Sequence, residues 1–126
     1  MLHHLSIPVT NVERSARFYD ASLGTLGYVR VQSDLDFIGY GYAGGGDRFA
    51  IRFLGDDIRV PGRGFHLAFA APSTEAVDAF YAAAMSHGGT DNGKPGPRPD
   101  YGPRYYAAFV LDPDGYRLEA VINPRG

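Results

Sequence analysis

Hydrophobic and polar positions along the chain follow two periods in turn, and the whole pattern occurs twice. From Leu2 to Val9, His3, Leu5, Ile7 and Val9 alternate with Leu2, His4, Ser6 and Pro8, which predicts a strand with two unlike faces. Thr10 or Asn11 stands where a helix cap is expected, and Val12, Ala16, Tyr19 and Leu23 follow at helical spacing. Gly24 and Gly27 punctuate the helix end. Three short strands are expected next, near 28–33, 37–43 and 48–54. Gly44-Gly45-Gly46-Asp47 is a flexible turn between the last two.

The pattern restarts at Phe65. HLSIPVTNVERSARFYDA (His4 to Ala21) falls on HLAFAAPSTEAVDAFYAA (His66 to Ala83), with identities at His4/His66, Leu5/Leu67, Glu13/Glu75, Phe18/Phe80, Tyr19/Tyr81 and Ala21/Ala83. The strand runs to Ala71, Ser73 caps the helix, and Val77, Phe80, Tyr81 and Ala84 form its buried stripe. Gly88-Gly89 ends it. The stretch 93–103 carries four prolines and reads as a semi-rigid loop, not a strand. The strands 105–111 and 116–122 then form a hairpin around Asp112-Pro113-Asp114-Gly115. The expected order is β-α-β-β-β twice, an α+β arrangement in one domain. Its parts are a first module 1–55, a linker 56–64 with Pro61, Gly62 and Gly64, and a second module 65–126.

Composition narrows the partners. The 126 residues fit one domain, and a repeat of about 60 residues would be marginal alone, so two fused copies share a core. A net charge of −2 without a basic stripe argues against nucleic acid and anionic membranes. The absence of cysteine removes disulfides, thiolate metal sites and cysteine nucleophiles together. No apolar run approaches a membrane span, and MLHHLSIPV has no signal-peptide core, so a soluble cytoplasmic protein is expected.

The candidate chemistry lies opposite the apolar strand faces. FAIRF (Phe49 to Phe53) aligned with YRLEA (Tyr116 to Ala120) sets Arg52 against Glu119. On this alignment four strands each carry one ionisable residue: His4, Arg52, His66 and Glu119. Small neighbours (Ser6, Ala50, Ala68, Ala70) leave space around them. Unpaired charge in such a cavity is costly. Two neutral imidazoles and a carboxylate around a divalent cation would satisfy all three. Two plainer readings stand beside this one: structural or exposed histidines, and a simple Arg52–Glu119 ion pair. His3 and His87 are poor ligand candidates by position. The segment Arg98 to Tyr106 offers Arg98, Tyr101, Arg104, Tyr105 and Tyr106 as a wall or lid, with an arginine for a substrate anion; its alternative is a solvated loop whose tyrosines pack on the core.

Three segments carry a resemblance: MLHHLSIPVTNVERSARFYDASLGTLGY, HLAFAAPSTEAVDAFYAAAMSHGG and, most specifically, AAFVLDPDGYRLEAV. Through them essentially the whole chain resembles the vicinal oxygen chelate superfamily, the glyoxalase, bleomycin-resistance and dioxygenase group. The resemblance implies two βαβββ modules whose sheets form a half-open barrel around a divalent metal. It implies His4, His66 and Glu119 as ligands, with Glu119 also catalytic. Arg52 is a departure, because common glyoxalase I has a glutamate ligand at the fourth-strand position and arginine stays protonated. Arg52 is therefore expected to turn toward Glu119, another carboxylate or a substrate anion. The implied function is a metal-dependent lyase, isomerase, dioxygenase or transferase with Fe, Mn, Ni or Zn, acting on a small oxygen-rich substrate by chelation and oxyanion stabilisation. The alternative is metal-free binding or sequestration of the bleomycin-resistance type. A homodimer is expected, because strand edges on each module need covering.

Overall fold

The computed structural model describes residues 1–124, so the last two residues of the expected second module lie outside it. The first half contains β1 (Leu5–Val9), α1 (Val12–Gly24), β2 (Val29–Asp34), β3 (Phe37–Gly41) and β4 (Phe49–Phe53). The second contains β5 (Leu67–Ala70), α2 (Thr74–Ser86), β6 (Thr90–Asp91), β7 (Gly96–Pro97), β8 (Tyr106–Leu111) and β9 (Arg117–Ile122). The strands form two mixed sheets, ordered β1-β4-β3-β2 and β5-β9-β8-β6, with β7 also paired to β8. This is an α+β fold of two open sheets, not a closed barrel.

Both helices start where a short polar side chain can replace a missing backbone acceptor. The Asn11 side chain accepts from the Arg14 amide at 2.9 Å, and Ser73 from the Ala76 amide at 3.0 Å. Glu13 and Glu75 add negative charge in each first turn. The buried face of α1 is wider than its simplest stripe, adding Ser15, Phe18 and Ser22 to Ala16, Tyr19 and Leu23. Gly89 lets α2 end against α1, since a Cβ there would meet Ala84 O at 2.7 Å and the Phe18 ring at 2.9 Å.

Two expectations change. Both N-terminal strands are shorter than the alternation implied, so His4 and His66 sit just ahead of β1 and β5. The proline-rich stretch also contains a strand fragment. Gly96–Pro97 pairs with Tyr106 and Ala107, and Thr90–Asp91 with Val110 and Leu111, so β8 faces two fragments in place of one strand. Proline has no N–H for the ladder, which keeps the pairing short and at the sheet edge.

The Asp112–Gly115 turn joins the halves. Inside it, Asp112 Oδ1 accepts from the amides of Asp114 and Tyr116, both at 2.9 Å, while Gly115 takes a φ of +96° that favours glycine. Outward, Asp112 Oδ2 accepts from Tyr19 Oη on α1 at 2.5 Å. Asp114 accepts from Thr10 N at 3.1 Å, Thr10 Oγ1 at 2.6 Å and Arg14 Nη2 at 2.6 Å. Tyr116 Oη donates to the Pro8 carbonyl at 2.7 Å. Phe49 and Phe69 meet edge to face at 5.3 Å and add an apolar contact between the sheets.

Replacing Asp114 by Ala removes the acceptor of three donors. We expect a loss of about 2–3 kcal/mol by urea unfolding, against less than ~1 kcal/mol for Arg30→Ala at the exposed Arg30–Asp20 pair. Asp112 gives a pH test. Burial raises its pKa, and the bonds from Tyr19 and the two amides only partly oppose that. An acid whose folded pKa is raised holds its proton longer folded than unfolded. Its contribution is therefore most favourable below the ordinary aspartate value and is lost as pH rises through the folded value. Asp112→Asn should remove this fall from the stability–pH curve; an unchanged curve would contradict the assignment.

Candidate functional site

The site is built by strand register. β5 and β9 run parallel with Ala68 opposite Glu119, and on its other side Glu119 faces Phe109 of β8. His66 lies two residues before Ala68 and therefore projects on the same side as Glu119. Its Nε2 is 2.9 Å from Glu119 Oε1. The Ala68 methyl leaves the space beside them open. Glu119 is 1% exposed, whereas the His66 side chain is 49% exposed, so the pair presents an imidazole to solvent over a buried carboxylate.

The other carboxylate oxygen is also engaged. Tyr105 Oη donates to Glu119 Oε2 at 2.5 Å. Burial first, and then the bond to Glu119 and its charge, push the Tyr105 pKa up to about 12, so it remains a donor. The Tyr101 ring meets Tyr105 edge-on at 5.3 Å, and the His66 ring meets Phe109 at 6.3 Å. A groove of about 290 Å³ beside His66 is lined by Leu2, Leu5, Arg48, Phe49 and residues 67–69.

The first half repeats this geometry without its carboxylate. Ser6 is opposite Ala50 in the parallel β1–β4 pair, as Ala68 is opposite Glu119 in β5–β9. Leu5 and Leu67 are equivalent in the repeat, and they face Phe49 and Leu118. The partner of Glu119 is therefore Ala50, not Arg52, and the alignment of FAIRF with YRLEA was out of step by two residues. A two-residue shift keeps every side chain on its face, so alternation could not detect it. Arg52 is exposed, its guanidinium 6.0 Å from the Phe37 ring centre, and among the described residues it forms no ion pair with Glu119 or another carboxylate.

The remaining expected site residues separate. His4 is exposed, with Nδ1 2.8 Å from His3 Nδ1, and it does not join His66 and Glu119. Among the described residues, no three His, Cys, Asp or Glu side chains come together to hold a metal ion. Arg98 spends its donors on its own loop, reaching the carbonyls of Lys94 (2.7 Å), Gly96 (3.0 Å) and Pro97 (3.3 Å), and lies 5.3 Å from the Phe109 ring centre. Tyr106 donates to Asp78 of α2 at 2.7 Å, away from Glu119. Tyr101 and Arg104 are exposed. Arg104, Tyr105 and Tyr106 line a second hollow of about 330 Å³ with Thr74, Ile122 and three prolines. Sequence reasoning missed Arg48, which shares the Ala50 face and lines the groove at His66. Its repeat partner is Arg117, a match that the corrected register exposes.

Paired open sheets, each backed by a helix, carry a histidine–carboxylate pair beside a groove in this small α+β protein. The family model for the Glyoxalase/Bleomycin resistance protein/Dioxygenase superfamily matches residues 1–120, and the chain belongs to that superfamily. A glyoxalase/bleomycin resistance protein from Albidiferax ferrireducens T118 is 35% identical, with 97% of this chain and 98% of that one covered and a TM-score of 0.82. A putative glyoxalase from Bacillus halodurans is 32% identical over 96% and 94% of the two chains, with a TM-score of 0.71. A glyoxalase-related enzyme from Fulvimarina pelagi shares the fold at 23% identity, covering 98% and 88%, with a TM-score of 0.76. Comparison with curated proteins gives no match.

The loop contacts generate a stability contrast. Arg98→Ala should lower stability by about 1–2 kcal/mol, because three carbonyl bonds and the Phe109 contact go together. Arg52→Ala should change it by less than ~0.5 kcal/mol. Chemical unfolding of the two variants checks the order.

Proposed function

We propose that the protein is a divalent-metal-dependent enzyme of its superfamily, with a small oxygen-rich molecule as substrate. The observation that carries the reading is the His66 Nε2–Glu119 Oε1 contact of 2.9 Å on a buried carboxylate. A mixed N/O donor pair suits Fe, Mn, Ni or Zn, and the exposed edge of His66 leaves room for a third donor. His4 supplies that donor from a second copy of the chain, in a homodimer. When bound, the ion would supply Lewis acidity to a chelating substrate and charge for an oxyanion developing there.

The chain's own residues then divide the work. Glu119 holds its carboxylate out of water. Arg48 lines the groove and gives it positive charge for an anionic substrate group, while Arg52 lies outside that lining. Tyr101 and Arg104 are exposed beside the site and contact the substrate from the loop. Lyase, isomerase, dioxygenase and transferase chemistry all fit this arrangement, and the protein acts in the cytoplasm. No helix of the described residues is long and apolar enough to cross a membrane.

One observation favours a second reading. His66 and Glu119 already satisfy each other, and Tyr105 occupies the other oxygen, as a metal-free binding protein of the bleomycin-resistance type would require. Metal analysis of untagged protein separates the two. Metal near one equivalent per chain, lost in Glu119→Ala and His66→Ala, supports the enzyme. Wild-type protein that refuses added divalent ions supports the binding module.

The shared site has its own test. A His4→Ala chain and a Glu119→Ala chain each lack one ligand type. Refolded together, they should form a mixed dimer with one intact site of two, so each mixed dimer regains about half of the wild-type dimer's metal. If all three ligands came from one chain, mixing would restore nothing.

A further inference from the structure

We propose that Tyr105 is a positioning residue that commits one oxygen of Glu119 to the protein and leaves only the other to bind a metal ion. This rests on the metal-dependent reading above and replaces a substrate-contact role for the Tyr105 hydroxyl.

A glutamate carboxylate turns easily about its last torsion, which has a broad, two-fold profile. Buried alone beside His66, it could present either oxygen or both. Tyr105 removes that freedom, because its hydroxyl donates to Oε2 at 2.5 Å while Oε1 faces His66 Nε2 at 2.9 Å. The two contacts divide the carboxylate, and Oε1 is the oxygen on the histidine side.

Tyr105 can impose this only if it is itself held. Its amide donates to the Gly102 carbonyl at 3.3 Å, and its carbonyl accepts from the Arg98 amide at 2.9 Å. The Tyr101 ring stands against its ring at 5.3 Å. Arg98 ties the loop below through the carbonyls of Lys94, Gly96 and Pro97. The same arginine lies 5.3 Å from the Phe109 ring centre, and that ring meets His66 at 6.3 Å. The proline-rich segment thus reaches Glu119 through Tyr105 and His66 through Phe109. It acts as a frame for the pair. Groups that orient a metal-binding carboxylate in this way usually change metal affinity by about 10- to 100-fold when removed.

The test uses the full chain and cobalt(II), read by calorimetry and by visible absorption. Tyr105→Phe should bind cobalt about 10- to 100-fold more weakly. Its d–d absorption should also weaken, because the released second oxygen adds to the coordination shell. Tyr106→Phe, whose lost hydroxyl bonds Asp78 and not Glu119, should match wild type in both. Wild-type affinity and spectrum in a cooperatively folded Tyr105→Phe would overturn the proposal. If that variant does not fold, the infrared difference spectrum of wild type with and without zinc decides. A wide carboxylate splitting, from binding through one oxygen, supports the proposal, and a narrow splitting, from both, overturns it. Wild-type protein that takes up no divalent ion overturns the metal-dependent reading first and this proposal with it.

Discussion

Polar bonds from one four-residue turn tie the two halves of this protein together over the apolar core that they share. Asp112 and Asp114 are both acidic and lie within two residues of each other, yet each oxygen of the pair has a donor. The amides of the turn and Tyr19 satisfy Asp112. Thr10 and Arg14 satisfy Asp114. Because those partners lie at the end of β1 and along α1, the hairpin of the second half cannot move without breaking polar bonds in a partly buried place. That is expensive in a way that apolar sliding is not. β9 emerges directly from this turn, and its ladder with β5 sets Glu119 opposite Ala68.

The site on this frame is asymmetric. The halves share strand order, pairing sense and register, and both place a histidine ahead of the first strand. On the fourth strand, Ala50 stands in one half where Glu119 stands in the other. A methyl group needs no partner. A buried carboxylate does, and it recruits His66, Tyr105 and the loop behind them. The irregular loop and the acidic residue therefore belong together. The first half has neither, and its corresponding connection, between β2 and β3, is the short turn 35–36.

Much of this was legible in the residues. The two caps, the helical stripes, the hairpin around Asp112–Gly115 and the equivalence of His4 and His66 are local features, set by hydrogen-bonding side chains and by spacing. Membership of the superfamily was legible for the same reason, because its most specific segment is a turn and a strand adjacent in sequence. The match of Arg52 with Glu119 failed, because period-two alternation is blind to an even shift and only the ladder between strands sets the register. Tyr105 and Tyr106 show a similar limit. They are neighbours with the same ring and hydroxyl, yet one bonds Glu119 and the other bonds Asp78 of α2.

The sequence by itself determined where the two helices, their caps and most strands and turns form, that the pattern occurs twice, and that His4 and His66 are equivalent in the repeat. Those outcomes depend on forces acting within a few residues: capping, backbone preference and the burial of one face. Only the tertiary structure decided which of the ionisable residues meet. It brought His66 to Glu119, left His4 exposed, turned Arg98 onto its own loop and set Ala50 where a fourth charge was expected. Such meetings depend on register between distant strands and on where the buried donors lie, and neither is a property of any single stretch of chain.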